Sequence, residues 1–409
     1  MHKTVIGALA LLLSVMLVCI SACSHRAKDT DSPDVTSSDL MGETDSAEVV
    51  VEDSADDTVE FRELTVSPTE ENVRPISRTC TIDGVTWLPQ SGSALEFVAT
   101  GTHLSLEMVG DDAVWYEKGF RPRFAVLVDG EVVLDDTMNE PACTIEVFSS
   151  ESSRSAVVEV MHLSEANEGV VGVKSITIES DASVPIKPTS PKDLSIEFIG
   201  DSITCGYGVE ATSVYEPFMT TTQNFMKSYA YLTAQALDAD YGTACYSGYG
   251  IVSGWSGDGQ RNESMTLPPI YDLVSQEFDQ PWDFSTHDYD VVVINLGTND
   301  FSYTWTDESR MQEFAFGYES FLEQVRERNP KSYLICTLGT MGCQELYPYV
   351  EQAVASFKEQ TGDERVMCYL SDQIDYETDG AGTSGHPNAI TQQKSADKLV
   401  EVIRDALNL

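Results

Sequence analysis

The fold of this chain is decided by the stretch Ile199-Gly200-Asp201-Ser202-Ile203-Thr204-Cys205-Gly206-Tyr207-Gly208. It follows the alternating run Leu194-Ser195-Ile196-Glu197-Phe198-Ile199, which is typical of a β-strand. Glycine permits a tight turn after the strand and leaves space beside the Ser202 hydroxyl. The stretch therefore predicts a serine that a rigid strand presents to a ligand at the carboxyl edge of a sheet. An ordinary strand-to-loop turn with a capping Asp or Ser would share this local pattern.

Two further segments extend this interpretation. Residues 290–296 are apolar enough for a buried strand, and they run into Gly297-Thr298-Asn299-Asp300. Near the C-terminus, Gly385-His386-Pro387-Asn388 stands just before a helical pattern. A hydroxyl nucleophile needs a base and donors for a developing negative charge, so the serine, asparagine and histidine of these segments are candidates for one site.

Together the three segments resemble the SGNH (GDSL-type) hydrolase superfamily over roughly residues 191–409. The resemblance implies that Ser202 is the nucleophile and His386 the general base. It also implies an oxyanion hole formed by the Ser202 N–H, the Asn299 side chain and a glycine N–H. That glycine should follow the strand near residue 243, and we assign Gly250 first and Gly248 second.

Strand and helix patterns alternate from residue 193 onward, which indicates a parallel sheet with helices on both faces. The implied fold class is α/β, a flavodoxin-like SGNH hydrolase domain over residues 187–409. Five strands and four helices are predicted, the strands near Ile196, Thr243, Val292, Leu334 and Tyr369 and the helices over Asn224–Leu237, Glu308–Arg328, Gln344–Lys358 and Asn388–Leu407.

In residues 63–186, apolar and polar residues alternate with a period of two instead. Leu104, Leu106 and Met108 alternate with polar residues, and Asp129-Gly130 separates two apolar runs as in a hairpin. Several short strands without a convincing helix predict an N-terminal β-sandwich of jelly-roll type.

The pairing of these two patterns resembles carbohydrate esterase family 2 over residues 74–409. Thr100–Leu104 and Phe124–Glu131 carry the sandwich part of the resemblance. It implies a serine esterase that removes acetyl groups from polysaccharides such as xylan and glucomannan, so the implied partner is an acetylated carbohydrate. Two alternatives stay open: a hydrolase of peptidoglycan O-acetyl groups or lipid esters, and a carbohydrate-binding lipoprotein with a vestigial site.

The chain departs from the superfamily pattern at the position of the acidic residue that precedes the histidine. SGNH enzymes usually carry Asp three residues before the histidine, or two before it in some relatives, and these positions hold Thr383 and Ser384 here. Some members of the esterase family use a Ser–His dyad in which a backbone carbonyl orients the imidazole. We therefore predict a dyad, with Asp379 as the alternative third member. Because histidine normally titrates near roughly pH 6.5, activity should rise between about pH 5 and 8.

Aromatic residues lie in or just after the three segments, at Tyr207, Tyr249, Trp255, Tyr303 and Trp305. Sugar rings present CH faces that stack on such side chains, and packing within the loops is the alternative for each. We predict Tyr249 and Trp305 as substrate contacts. Asp201 and Asp300 are expected to brace the loops rather than to take part in the chemistry.

The N-terminus predicts export. Residues 1–22 combine Lys3 with an apolar run, and Ile20-Ser21-Ala22-Cys23 resembles a bacterial lipobox, in which cleavage precedes Cys23 and its thiol carries a lipid. Residues 23–62 are mostly Ser, Thr, Asp and Glu, which is typical of a disordered linker. We expect an exported, lipid-anchored protein at the bacterial envelope. An ordinary signal peptide or a membrane helix is the alternative.

Composition excludes several classes of partner. With 24 basic and 67 acidic residues, the net charge of −43 argues against nucleic acid and anionic lipid. Nine cysteines less Cys19 and Cys23 leave seven, an odd number mostly within apolar strands, which is not a disulfide framework. We find no CxxC pair or histidine cluster with metal spacing, so we predict no metal and no cofactor. We expect a monomer.

Overall fold

The computed structural model describes residues 60–409, so Cys23, the predicted signal peptide and most of the linker lie outside the described residues. Residues 60–409 belong to one compact unit with two sheets, the first antiparallel and the second parallel. Within this range, no helix has the length and apolar character needed to cross a membrane.

The antiparallel sheet has ten strands. They are β1 (Arg62–Val66), β2 (Arg74–Ile76), β3 (Cys80–Ile82), β4 (Val85–Leu88), β5 (Ala94–Gly110), β6 (Arg123–Val128), β7 (Glu131–Thr137), β8 (Ala142–His162), β9 (Val171–Ser180) and β10 (Ile186–Pro188). Their order is β3-β4-β9-β5-β8-β6-β7, with β1 on β9 and with β2 and β10 on β5. The long strands β5 and β8 pair with register shifts, and bulges of this kind bend a sheet over its own core. The predicted antiparallel region is confirmed.

Strand β6 shows why this region needs the rest of the chain. All six of its residues are buried. Phe124, Val126 and Val128 face the core of the antiparallel sheet. Ala125 and Leu127 point to the opposite face, into a core shared with the parallel sheet. A strand whose two faces are both buried lies between two layers, because successive side chains alternate across it.

The parallel sheet has five strands in the order β12-β11-β13-β14-β15. They are β11 (Ser195–Gly200), β12 (Asp240–Cys245), β13 (Val291–Asn295), β14 (Tyr333–Leu338) and β15 (Val366–Leu370). The helices are α1 (Ser202–Cys205), α2 (Tyr229–Ala236), α3 (Phe301–Thr304), α4 (Glu308–Arg328), α5 (Tyr347–Thr361) and α6 (Ala389–Leu407). Helices α2 and α6 share one core with the sheet and α4 and α5 share another, so the predicted α/β layering is confirmed.

Strand β12 would be an exposed edge without the antiparallel region. Its Thr243 N–H donates to Ser77 Oγ at 2.9 Å, and its Cys245 N–H donates to Gln90 Oε1 at 3.3 Å. Side chains of the antiparallel region therefore satisfy the outward N–H groups of this edge, which would otherwise be open to pairing with another strand.

A buried ion pair joins the same two regions. Arg78 Nη2 lies 2.8 Å from Glu197 Oε1 of β11, and each side chain is 1 % exposed. Arg78 Nη1 also donates to the carbonyls of Tyr271 and Leu273, at 2.5 and 2.6 Å. A buried charge needs such partners, because its removal from water is costly.

Candidate active site

Three adjacent strands, β12, β11 and β13, end at one edge of the parallel sheet. Gly200 at the end of β11 is opposite Cys245 on one side and Asn295 on the other. Ser202 opens helix α1 immediately after β11, and the Asp201 carboxylate caps this helix by accepting the Ile203 N–H at 3.0 Å. The carboxyl edge of an open parallel sheet is where α/β proteins build their sites.

The hydroxyl of Ser202 meets the imidazole of His386. The Ser202 Oγ to His386 Nε2 distance is 2.8 Å, and His386 Nδ1 lies 3.0 Å from the Thr383 carbonyl oxygen. Because a carbonyl only accepts, Nδ1 carries the proton of the neutral ring, and Nε2 presents its lone pair to the serine O–H. This arrangement is that of a nucleophile and its base.

The loop that carries His386 is held against the serine loop. The Thr383 N–H donates to the Gly208 carbonyl at 3.3 Å. Gly208 has φ +56°, and a Cβ there would lie 2.5 Å from the Thr383 Cβ, so only glycine permits this approach. The ring of Tyr207 lies 4.5 Å from that of His386 and is itself stacked on Phe218 at 4.1 Å. The imidazole is thereby fixed from two sides.

The alternative role of Asp379 as third triad member is corrected by the structure. Its carboxylate pairs with Lys394 Nζ at 2.6 Å, and its carbonyl accepts the Asn388 side-chain amide at 2.7 Å. Both ring nitrogens of His386 have other partners. The three residues Gly380–Gly382 turn the chain so that Asp379 faces helix α6 instead of the imidazole.

Burial of the imidazole lowers its pKa. Desolvation lowers the pKa of His386 to about 4, although its hydrogen bond to the Thr383 carbonyl acts in the opposite direction. The neutral form of the ring therefore predominates at pH values well above 4. The expected rise of activity between about pH 5 and 8 is accordingly shifted to more acidic pH.

Gly250, the first choice for the oxyanion N–H, is wrong. Its N–H donates to the Met265 carbonyl at 3.1 Å. A Cβ at this position would lie 2.0 Å from the Ser253 carbonyl oxygen and 2.5 Å from Asp300 Oδ2. The sequence needs glycine here for close packing, and the N–H is already engaged.

Gly248, the second choice, has the free donor. Among residues 60–409 its N–H has no acceptor, and the same holds for the N–H of Ser202. Gly248 has φ +83°, and its carbonyl accepts the Trp255 N–H at 2.8 Å. Two unpaired N–H groups at the ends of neighbouring strands are the donors that an oxyanion hole requires.

Asn299 supplies a third donor from the end of β13. Its Nδ2 donates to the Tyr249 carbonyl at 2.8 Å and makes a longer contact of 3.3 Å with Asp201 Oδ2. The first bond orients the amide, and the second hydrogen has only the longer contact. A developing oxyanion would offer that hydrogen a better acceptor.

Asp300 braces the neighbouring loop, as predicted. Its carboxylate accepts the N–H groups of Ile251, Val252 and Ser253 at 2.7 to 3.1 Å. Burial raises its pKa to about 6 against these bonds. The loop that follows Gly248 is thus anchored to the start of α3.

The predicted aromatic contacts divide into one buried and one exposed residue. Tyr249 is 4 % exposed, its ring packs on Tyr246, and its hydroxyl donates to Gln276, so the prediction of a substrate contact there is corrected. Trp305 is 54 % exposed, and Trp255, which the prediction ranked lower, is 61 % exposed. Trp305 stays a prediction.

The remaining reactive side chains are structural. All seven cysteines of residues 60–409 are free thiols. His103 pairs with Glu179, and the fully buried His162 contacts Ser164 Oγ at 3.0 Å. Over the same range, no group of three or more His, Cys, Asp or Glu side chains is arranged to hold a metal ion.

Comparison with known proteins agrees with this geometry. Residues 198–394 match the GDSL-like Lipase/Acylhydrolase family. Cellulase/esterase CelE of Acetivibrio thermocellus is 29 % identical over 313 residues, which are 75 % of this chain but 37 % of that protein. This chain therefore spans little more than a third of the length of CelE.

This chain matches two further relatives over nearly their whole length. An acetylxylan esterase / glucomannan deacetylase of Cellvibrio japonicus is 24 % identical over 348 residues, 84 % of this chain and 91 % of that protein. The solved structure of a family two carbohydrate esterase from Clostridium thermocellum, in complex with cellohexaose, superposes with a TM-score of 0.71 and 28 % identity. That likeness covers 82 % of this chain and 99 % of the other.

Proposed function

This chain belongs to the SGNH (GDSL-like) hydrolases, and from that premise we propose that it is a serine esterase that removes O-acetyl groups from a polysaccharide through a Ser–His dyad. The observation that carries the proposal is the 2.8 Å contact of Ser202 Oγ with His386 Nε2, while Nδ1 is held by a backbone carbonyl. A site that had lost its catalytic role would not be expected to preserve this alignment of serine, histidine and carbonyl.

In the proposed reaction, His386 Nε2 takes the proton of Ser202 as Oγ attacks the acetyl carbonyl carbon. The N–H groups of Ser202 and Gly248 and the Asn299 amide hold the oxyanion of the tetrahedral intermediate. The imidazolium then gives its proton to the departing sugar oxygen, which leaves an acetyl-enzyme. Water, deprotonated by the same imidazole, attacks this ester, and the imidazolium returns the proton to the departing Ser202 Oγ as acetic acid is released.

The surroundings of the site support a neutral polysaccharide as the substrate. The Cellvibrio japonicus relative is an acetylxylan esterase / glucomannan deacetylase, and one solved relative is in complex with cellohexaose. The exposed indoles of Trp255 and Trp305 stand on linked loops, because the Ser256 N–H donates to Ser302 Oγ at 2.8 Å. Indole faces stack on the CH faces of sugars, and the net charge of −43 disfavours anionic polymers.

The experiment is a comparison of acetate release from acetylated xylan, acetylated glucomannan and O-acetylated peptidoglycan, with the Ser202→Ala variant as control. We expect release from at least one neutral polysaccharide, hydrolysis of p-nitrophenyl acetate, and no turnover of a long-chain ester. Release from peptidoglycan alone would reassign the substrate to the cell envelope. A wild-type protein that binds polysaccharide without releasing acetate would contradict the esterase.

We also propose that the chain is exported, that a lipid on Cys23 anchors it, and that the acidic linker holds a monomeric two-domain enzyme, residues 63–186 and 187–409, away from the membrane. The support is the lipobox-like Ile20-Ser21-Ala22-Cys23. Metabolic labelling with palmitate should mark the wild-type protein in the producing bacterium and leave Cys23→Ala unlabelled. Label on both proteins would refute the assignment of Cys23.

A further inference from the structure

The turn after β8 places a carboxylate of the antiparallel region beside the active site. Glu165 is 1 % exposed. Its Oε2 accepts the backbone N–H of Ser247 at 2.7 Å, and its Oε1 accepts the Ser247 hydroxyl at 2.5 Å. Ser247 belongs to the segment after β12 and directly precedes Gly248. One side chain thus holds both donors of the residue next to the free oxyanion N–H.

The other partners of Glu165 come from the nucleophile's side of the site. Gln223 Nε2 donates to Oε1 at 3.2 Å, and the thiol of Cys205, at the end of α1, lies 3.9 Å from Oε2. All four partners are donors, and they face both oxygens. A carboxylate accepts at both oxygens, whereas a carboxamide must turn its NH₂ group toward a donor. A carboxylate fits these donors as they stand, whereas a glutamine would have to turn its NH₂ group toward the Ser247 hydroxyl or Gln223 and rearrange the set.

The two peptides that flank the peptide carrying the Gly248 N–H are consequently held by hydrogen bonds. Ser247 is tied to Glu165, and the Gly248 carbonyl accepts the Trp255 N–H at 2.8 Å. Gly248 itself adopts φ +83° and lacks a side chain that could limit its rotation. The direction of its N–H thus depends on these two neighbours, and one of them is anchored to the antiparallel region.

We propose that Glu165 is the positioning residue of the oxyanion hole: through it the antiparallel region holds Ser247, and with it the direction of the Gly248 N–H, relative to the end of α1. The inference rests on the proposed esterase function and deepens it. An oxyanion donor acts only when it is already aimed at the charge that develops. Loss of the Glu165 contacts should therefore weaken the transition state and leave substrate binding in the ground state almost unchanged.

The test is Glu165→Gln, with Glu168→Gln as the matched control in the same turn. We expect kcat for p-nitrophenyl acetate, per active site titrated with a serine-directed phosphonate, to fall about 10- to 100-fold, below the full loss of one donor. KM should stay within about threefold, because the ground state makes little use of the donor. Inhibition by a boronic acid that forms a tetrahedral adduct should weaken by a similar factor as kcat. Glu168→Gln should stay within about twofold of wild type, because the Glu168 side chain is only partly buried and makes no hydrogen bond to Ser247, Gln223 or Cys205.

Ser247→Ala provides a second variant that keeps the backbone N–H contact and loses only the hydroxyl. Its kcat should fall about 3- to 10-fold, and the double variant should be no slower than Glu165→Gln, because the two residues act as one unit. An unchanged kcat per titrated site in Glu165→Gln, or in Ser247→Ala where Glu165→Gln does not fold, overturns the inference. An equal loss of kcat in the control variant Glu168→Gln overturns the inference as well. A wild-type protein without esterase activity refutes the proposed function instead.

Discussion

At the scale of single residues, His386, the proposed base, is oriented by an uncharged group. The Thr383 carbonyl fixes which nitrogen of His386 carries the proton, as a carboxylate would. A carbonyl contributes less to the stability of the imidazolium than a carboxylate does, because it has no net charge. Desolvation then lowers the pKa of the ring to about 4. The neutral form, which is the form that accepts a proton, is thus present throughout the neutral range.

The first prediction concerns pH. We expect kcat/KM for a soluble acetyl ester to stay level from about pH 6 to 8, because the base is already deprotonated. Below that range it should decline with an apparent pKa near 4, since protonated Nε2 cannot take the serine proton. Initial rates across the range measure this, and circular dichroism recorded at the same pH values separates titration from acid unfolding. An inflection near roughly pH 6.5, the ordinary value for histidine, would contradict the prediction.

The second prediction concerns Asp379→Asn. The carboxylate is 10 % exposed and pairs with Lys394, whose side chain is 58 % exposed, so loss of this partly screened pair should cost about 1 kcal/mol of stability. We expect kcat to change by less than about tenfold, because the imidazole keeps its Thr383 partner. Lys394→Gln breaks the same ion pair from the other side and should give the same small effect. A loss of about a thousandfold in Asp379→Asn alone, at an unchanged melting temperature, would restore Asp379 as a triad member.

At the scale of elements, the periodicity of the apolar residues predicted the layers. It could not distinguish between two neighbouring glycines. Helix α4 has the predicted bounds Glu308–Arg328, because its start is capped by Asp307 and its apolar face is regular. Helix α2 begins later than predicted, since Asn224 caps a separate short turn and Ser228 caps the helix. Period-two patterns also do not reveal where a strand continues through a bulge, as β5 and β8 do.

The choice of Gly250 over Gly248 failed for a physical reason. Both glycines lie in one short segment after β12, and only their partners distinguish them. The carbonyl that engages the Gly250 N–H belongs to Met265, and the carboxylate packed against Gly250 belongs to Asp300 at the start of α3. Neither contact is visible in local sequence. Ser202, Asn299 and His386 were assigned through the SGNH resemblance, and the structure brings the Ser202 hydroxyl within 2.8 Å of His386 Nε2.

The third prediction compares Ala substitutions at the two glycines. At Gly250 a Cβ would lie 2.0 Å from a backbone oxygen, which cannot move cheaply, so Gly250→Ala should destabilise the protein by about 3 kcal/mol or more. At Gly248 the nearest atom is the methyl end of Met265, at 2.6 Å, so Gly248→Ala should cost about 1–2 kcal/mol, from its positive φ. Urea unfolding measures both. A Gly250→Ala variant as stable as Gly248→Ala would contradict the assigned packing role.

At the scale of the whole molecule, the antiparallel region is integrated with the parallel sheet rather than attached as an appendage. Its side chains accept hydrogen bonds from N–H groups of the edge strand β12, and its strand β6 contributes to a core shared with α2 and α6. Its Glu165 accepts the N–H of Ser247, the residue before Gly248. The Arg78–Glu197 pair spans 119 residues of sequence, so no local pattern could have indicated it. These contacts predict that the two sheets unfold together.

The last prediction tests that coupling with Glu197→Gln. The change leaves the Arg78 guanidinium, 1 % exposed, without its counter-charge, and breaking a buried pair typically costs about 3–5 kcal/mol. Asp240→Asn is the matched control: it also removes a carboxylate that joins the two regions, but Arg74 keeps Glu96 and both side chains of the lost pair are partly exposed, so about 1 kcal/mol should be lost. Calorimetry should show one transition in every variant, at a clearly lower temperature for Glu197→Gln. Two separate transitions, with only one displaced, would mean that the regions fold independently and that the buried pair does not couple them.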